Sequence, residues 1–245
     1  MKISLVQIEA IPCNIRENCA KHVQWIDRAV RQKPDLIVFP ELSLTGYEPA
    51  LVTKWDEDEY HPQINVFKEL SNKHHTLIAV GCPIRKGNDL HIGMVIFQPD
   101  GGRKLYLKQD LHEDENDIFT PGREQVILDI KGIKVAIAIC YEAVQNSHFD
   151  RCRELGADVY LASVSKHHQG VVEAYQFFRH KAKKFKLPVL MANSVGNCDN
   201  FLSAGGTSIW NIYGNLTDQL GYSEEGILVF DQEKKSRSLA EEVTS

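Results

Sequence analysis

The sequence predicts an α/β layered fold with mixed sheets, on three observations. Short apolar runs of strand length alternate with amphipathic stretches of helical period along most of the chain. Two turn signals, Pro99-Asp-Gly-Gly102 and Lys131-Gly132, each separate two strand-like runs. The 245 residues, 43% of them hydrophobic, suffice for one substantial core. No internal repeat, low-complexity tract or composition break divides the chain. Residues 1–245 therefore read as a single domain, with a polar, loosely ordered tail from about residue 232.

The first strand is expected over residues 3–9. Asn14 can cap the helix that follows, in which Cys19, Val23, Ile26 and Val30 recur at helical spacing. Lys33-Pro34-Asp35 breaks that helix. Residues 36–39 are continuously apolar, as in a fully buried strand. Ile64, Phe67 and Leu70 mark a second helix, and residues 76–80 a further strand. Pro99 to Gly102 reads as the turn of a hairpin. Lys131-Gly132 lies between strands over 126–130 and 134–140. A helix after Cys140 ends near Leu155-Gly156, and a strand over 158–163 follows. Next come a helix carrying Tyr175, Phe178, Ala182 and Phe185, and a strand over 188–192. Residues 205–214 and 226–231 supply the last strands.

Composition narrows the function. The formal net charge is -5, and no Lys/Arg run suggests nucleic acid or an anionic membrane as partner. Lys181, Lys183, Lys184 and Lys186 read as the solvated face of a helix. No run reaches transmembrane length, and residues 1–9 do not resemble a secretory signal. Cys13, Cys19, Cys82, Cys140, Cys152 and Cys198 then read as reduced thiols, and the cytoplasm is the expected compartment. His74-His75 and His167-His168 lack metal-site spacing, so no metal is expected.

Three strand-like runs end at reactive side chains. Leu36-Ile-Val-Phe-Pro40 closes on Glu41, Arg103-Lys-Leu-Tyr-Leu107 on Lys108, and Lys134-Val-Ala-Ile-Ala-Ile139 on Cys140. A strand-to-helix junction projects a nucleophile from a sheet edge and offers backbone N–H groups beside it. A thiol has a free pKa of about 8.5, so it needs a base and a cation. Glu41 can be that base if burial raises its pKa, and Lys108 that cation and an oxyanion donor. Glu115, in His112-Glu-Asp-Glu-Asn-Asp, is a fourth candidate. Each residue alone has an ordinary reading, as inert core thiol, surface charge or acidic loop.

Their contexts resemble the nitrilase, or carbon–nitrogen hydrolase, superfamily. Phe39-Pro-Glu-Leu42 with Gly46-Tyr47 resembles its first motif. Lys108, Leu111, Glu115 and Phe119-Thr-Pro-Gly122 resemble the second. Ile139-Cys-Tyr-Glu142 with Leu155-Gly-Ala-Asp158 resembles the third. Ala192-Asn-Ser-Val-Gly196 and Gly205-Gly-Thr-Ser208 are similar to the closing segments. The likeness runs to about residue 231. It implies a four-layer α-β-β-α sandwich with two mixed sheets, subunits paired across helices as a homodimer or higher oligomer, and no cofactor.

The resemblance also implies that Glu41, Lys108 and Cys140 are catalytic, with Glu115 in support. The substrate would be a small molecule, a linear amide cleaved through a cysteine thioester. Lys108 and the Tyr141 N–H would hold the oxyanion. Tyr47, Tyr141, Ser165 and Lys166 are the expected substrate-binding residues, although the 165–168 loop reads equally as solvated.

The chain departs from the family at two places. Glu142 stands where amidase-like members usually carry Asp, and residues 143–153 lack the familiar Phe-Pro-Glu. An N-carbamoyl amidohydrolase, a nitrilase and a catalytically silent binding protein on the same fold therefore stay open. So does a Cys-His hydrolase of another fold. The lack of a following synthetase segment points away from the glutaminase half of an NAD synthetase. The lack of membrane spans points away from a lipoprotein acyltransferase.

Overall fold

The computed structural model describes residues 1–52 and 62–233. The chain runs β1 (Lys2–Gln7), α1 (Ile15–Ala29), β2 (Leu36–Val38), α2 (Pro49–Val52), α3 (Asn65–His74), β3 (Leu77–Lys86) and β4 (Asp89–Phe97). It continues with β5 (Arg103–Leu107), β6 (Ile127–Ile130), β7 (Ile133–Ile139), α4 (Asn146–Glu154), β8 (Val159–Val164) and α5 (His168–Phe185). The last strands are β9 (Val189–Asn193), β10 (Val195–Cys198), β11 (Phe201–Ala204), β12 (Ser208–Trp210), β13 (Leu216–Gln219) and β14 (Gly226–Asp231).

Two six-stranded sheets form, in the orders β14-β1-β2-β3-β4-β5 and β13-β12-β9-β8-β7-β6. Both are mixed. β1, β2 and β3 are parallel, as are β7, β8 and β9, while the outer strands of each sheet pair antiparallel. The inner faces meet in one core holding Leu5, Val38, Ile92 and Met94 from the first sheet and Ile137, Ile139, Leu161 and Leu190 from the second. Ile26, Ala29, Phe67 and Leu70 of α1 and α3 cover the outer face of the first sheet. Phe149, Ala174, Phe178 and Ala182 of α4 and α5 cover that of the second. The result is the four-layer α-β-β-α sandwich. Each buried Leu, Ile or Val contributes about 1.5–3 kcal/mol, so the sheet-to-sheet layer holds the reactive strand ends together.

The helix signals in the sequence have direct counterparts. Asn14 accepts the Glu17 N–H at 3.2 Å and caps α1. Pro99 to Gly102 turns β4 into β5. Other elements differ. β3 extends to Lys86 and pairs along its length with β4, a hairpin whose Gly87-Asn88 turn the sequence reading passed over. The β10–β11 hairpin was also not expected. The polar tail lies, from residue 234, outside the described residues.

Lys181 corrects the solvated-face reading. It is 2% exposed, with Nζ 3.0 Å from Asp150 Oδ1 and over the rings of Phe149, Phe177 and Phe185. Its position in the helical series Val171, Ala174, Phe178, Lys181 puts it on the buried stripe, and aromatic faces accept the cation. Lys183, Lys184 and Lys186 are exposed. None of the six cysteines forms a disulfide among the described residues. Among the described residues no helix is long and apolar enough to cross a membrane, and no group of three or more His, Cys, Asp or Glu is placed to hold a metal.

Candidate active site

Glu41 follows the C-terminal end of β2. Phe39 N–H still bonds Ala79 O at 2.9 Å, and Pro40, lacking an N–H, ends the ladder. A tight turn follows, in which Leu42 takes a φ of +49° and its carbonyl accepts from Thr45 and Gly46. That turn packs onto Gly81 of β3, where any Cβ would overlap Pro40 O and Leu42 N. Glycine is needed there for close backbone approach.

Lys108 follows β5. Its N–H bonds Ile92 O at 2.9 Å, and its carbonyl accepts from Gly122 at 2.7 Å. Gly122, the last residue of the Phe-Thr-Pro-Gly motif, sits against Leu107 so closely that a Cβ would collide with the Leu107 backbone. Glu115 ends a short turn, and its Oε2 takes the His112 N–H at 2.8 Å.

The three charges converge. Lys108 Nζ lies 2.9 Å from Glu41 Oε1 and 2.7 Å from Glu115 Oε1, and Tyr47 OH donates to the same Glu115 oxygen at 2.9 Å. Lys108, Glu41 and Glu115 are at most 2% exposed. An ammonium has three N–H donors, so two are used here and one is left for a ligand. Burial pulls the Lys108 pKa down, but Glu41, Cys140 and Glu115 together raise it, and it stays charged. Burial raises the Glu41 pKa, against the opposing pull of Lys108. Glu41 Oε2 is buried without a hydrogen-bond partner. The Cys140 thiol lies close enough to lower the Glu41 pKa, though no hydrogen bond of ordinary geometry joins them.

Cys140 lies one residue beyond β7 in a left-handed turn, with a φ of +49°, which ordinary side chains rarely adopt. The expected strand over 134–140 therefore stops at Ile139. Cys140 N–H still bonds Ser163 O at 3.0 Å, and the thiol faces Ser165 O at 3.6 Å. The residue is only half-buried, yet burial and then the Glu41 charge push its thiol pKa up to about 12. The resting side chain is a neutral thiol. Tyr141 N–H makes no hydrogen bond among the described residues, and so is available to a ligand.

A cavity of about 500 Å³ opens at Cys140. The four residues expected to bind substrate, Tyr47, Tyr141, Ser165 and Lys166, all line it. Glu115 and Cys140 also line it, and the buried Lys108 joins the buried Glu41 to Glu115. The sequence reading missed the His112–Asp114 pair (Nδ1 to Oδ1 2.5 Å), Asn200 and Phe201, which line the same cavity. It also missed Asn193, which holds Lys166 N–H at 2.9 Å. Asn193 lies in the Ala-Asn-Ser segment, the one signal available for it.

The departure at Glu142 has a structural counterpart. Glu142 is fully buried, and its carboxylate accepts Ile139 N–H at 2.6 Å, Tyr106 OH at 2.7 Å and Gln109 N–H at 2.6 Å. Burial raises its pKa to about 7, against those hydrogen bonds. The residue braces the chain beside Cys140 to the chain beside Lys108.

With this geometry, comparison with known proteins is decisive on kinship. The Carbon-nitrogen hydrolase family matches residues 2–238. This chain belongs to the carbon–nitrogen hydrolase family. The chain is 24% identical to an (R)-stereoselective amidase of Pseudomonas sp, over 97% of this chain and 88% of that protein. It is also 24% identical to a glutamine-dependent NAD(+) synthetase of Thermotoga maritima, over 94% of this chain. It spans only 42% of that synthetase, less than half its length. Among solved structures, a mutant of the amidase from Nesterenkonia sp. AN1 superposes with a TM-score of 0.85 at 20% identity, covering 98% of this chain and 99% of that one. That structure carries the product of Michael addition of acrylamide at its active site cysteine. The likeness shows that this carbon–nitrogen hydrolase shares the amidase's fold.

Proposed function

We propose that this carbon–nitrogen hydrolase cleaves a small linear amide through a thioester on Cys140. The observation that carries this reading is the unpartnered Glu41 Oε2 near the Cys140 thiol, with Lys108 bound to the other oxygen of the same carboxylate. A buried carboxylate oxygen with no donor is a proton acceptor in waiting.

Glu41 takes the thiol proton as sulfur attacks the amide carbon. Burial and the Glu41 charge raise the thiol pKa, so the sulfur needs that base to become a nucleophile. The carbonyl π-pair moves to oxygen, where the spare Lys108 N–H and the Tyr141 N–H hold the oxyanion. One such donor contributes about 3–4 kcal/mol to the barrier. Protonated Glu41 delivers its proton to nitrogen, the C–N bond breaks, and ammonia or an amine leaves. Glu41 then removes a proton from water as its oxygen attacks the thioester. The second oxyanion collapses, the C–S bond breaks, and the thiolate recovers its proton. Glu115 holds Lys108 in place throughout. No metal or organic cofactor enters any of these steps. The acrylamide adduct at the Nesterenkonia enzyme's cysteine supports a cysteine nucleophile here.

Ammonia release across amides, N-carbamoyl compounds and nitriles tests the reading. Amides should give ammonia, and Cys140→Ala should give none while remaining folded. Turnover retained in that variant would overturn the thioester, and no product from any compound would favour a silent binding protein. The synthetase relatives support a second reading, release of ammonia from glutamine for a synthetase partner, so glutamine belongs in the panel. The family reading also carries self-association, which sedimentation measures directly.

A further inference from the structure

We propose that Lys166 is an anion anchor, and that the substrate is a short amide carrying a free carboxylate. The proposal rests on the amide hydrolase reading above and narrows it. Lys166 lines the cavity onto which Cys140 opens. Its backbone is held on both sides. Lys166 N–H donates to Asn193 Oδ1 at 2.9 Å, and its carbonyl accepts from Ala204 N–H at 2.9 Å and Asn193 Nδ2 at 3.2 Å. Asn193 is itself fully buried, so the stem of Lys166 starts from a fixed point.

The charge at the end of that stem has no counterpart. Among the described residues the Lys166 ammonium makes no ion pair and no hydrogen bond. The acids lining the cavity are all engaged. Glu115 bonds Lys108 and Tyr47, Asp114 pairs with His112, and Glu173 takes the Gln169 amide at 3.1 Å. Glu41, which does not line the cavity, is bound to Lys108. Lys166 is thus the one lysine among the lining residues, with no acid of the described residues within ion-pair distance of its ammonium, and its field reaches the reacting centre. Burial and Glu41 raise the Cys140 pKa, and Lys166 acts against them.

The rest of the wall fits such a ligand. Tyr47, Tyr141, Val144 and Phe201 supply apolar surface between the two polar ends. An amide at Cys140, a few methylenes along that surface and a carboxylate at Lys166 would match each group with its complement. Matching a fixed cation with the substrate's charge favours the anionic ligand and suppresses neutral ones.

The test compares succinamate and glutaramate with methyl-ketone isosteres, in which a methyl group replaces the charged oxygen. The wild-type protein should prefer each anionic amide by about tenfold or more in kcat/KM, mainly through KM. Added salt should raise KM for the anionic amides more than for the isosteres. Lys166→Met, with Lys166→Gln as a second variant should the first misfold, should abolish the preference. Equal kcat/KM for anionic and neutral amides in the wild-type protein would overturn the inference. So would a preference that survives in the folded variants, or equal losses of kcat on both substrates, which would make Lys166 only a thiolate stabiliser. No ammonia from either amide in the wild-type protein would instead remove the hydrolase reading on which the inference stands.

Discussion

Glu142 Oε2 accepts the backbone N–H of Gln109 at 2.6 Å, across the seam between the two sheets. Gln109 follows Lys108, and Glu142 follows Cys140 by two residues. The other carboxylate oxygen takes Ile139 N–H at 2.6 Å, on the opposite flank of Cys140. One buried carboxylate thus sets the distance between the candidate nucleophile and the candidate oxyanion donor. Tyr106 completes the brace, and its hydroxyl also meets His148 Nε2 at 2.9 Å.

Glu142→Gln should therefore lower kcat by about 10- to 100-fold with little change in KM, since a misplacement of about 1 Å costs on that scale. The carboxamide has only one acceptor oxygen, so its NH2 would face a backbone N–H donor. Stability should fall by about 1–3 kcal/mol. Steady-state kinetics and denaturant titration check both, and an unchanged kcat would remove Glu142 from the positioning role.

Cys140 holds a left-handed backbone conformation that costs a non-glycine residue about 1–2 kcal/mol. Glycine relieves that strain, but its unfolded-state freedom costs about 0.5–1 kcal/mol. Cys140→Gly should then be more stable than Cys140→Ala by roughly 0.5–1 kcal/mol, the balance of those two terms. Thermal unfolding of the two variants decides it. A clearly more stable alanine variant would mean that the turn relaxes at no cost.

Lys108 is the shared partner of two buried carboxylates, so its loss should be costly. Lys108→Met should destabilise the protein by about 3–5 kcal/mol near neutral pH. The deficit has a sign in pH. Without the cation, Glu41, whose pKa burial already raises, would bind its proton more tightly folded than unfolded, so acidification should restore part of the loss. Urea titrations at about pH 5 and pH 7 measure it. A deficit independent of pH would show that Glu41 is not the cause.

Four buried groups shape wild-type stability against pH. Burial lowers the pKa of His22 to about 3 and of His148 to about 4, from 6.5. Below pH 6.5 the unfolded chain binds protons that these native histidines refuse, so stability falls with acidification through that window. Burial raises Glu142 from 4.5 to about 7 and raises Glu41 as well. Above pH 4.5 the native carboxylates keep protons that the unfolded chain releases, so stability falls as pH rises toward 7. The two effects oppose each other between 4.5 and 6.5, and the histidines act alone below. Stability should peak between those limits and drop steeply below about pH 4.5. His148→Asn should flatten the acid limb, and an unchanged limb would assign it elsewhere.

Much of this protein was legible in its residues. Alternating apolar runs and capped helical stretches foretold the α/β layers, because burial on one face imposes a local period. Glu41, Lys108, Glu115 and Cys140 stood out as candidates because each follows a recognisable strand end or motif. What the sequence could not supply was the meeting of elements distant along the chain. The sharing of Lys108 between Glu41 and Glu115, Asn193 holding Lys166, and the link from Glu142 to Gln109 each span loops whose closure depends on how the two sheets stack. Lys181 shows the same limit, as a charge that local character sends to solvent and aromatic packing keeps inside. Residue types and strand ends determined which chemistry is possible. Only the stacked sheets decided which side chains lie within hydrogen-bonding reach, because that distance is set by long-range packing and not by neighbours in sequence.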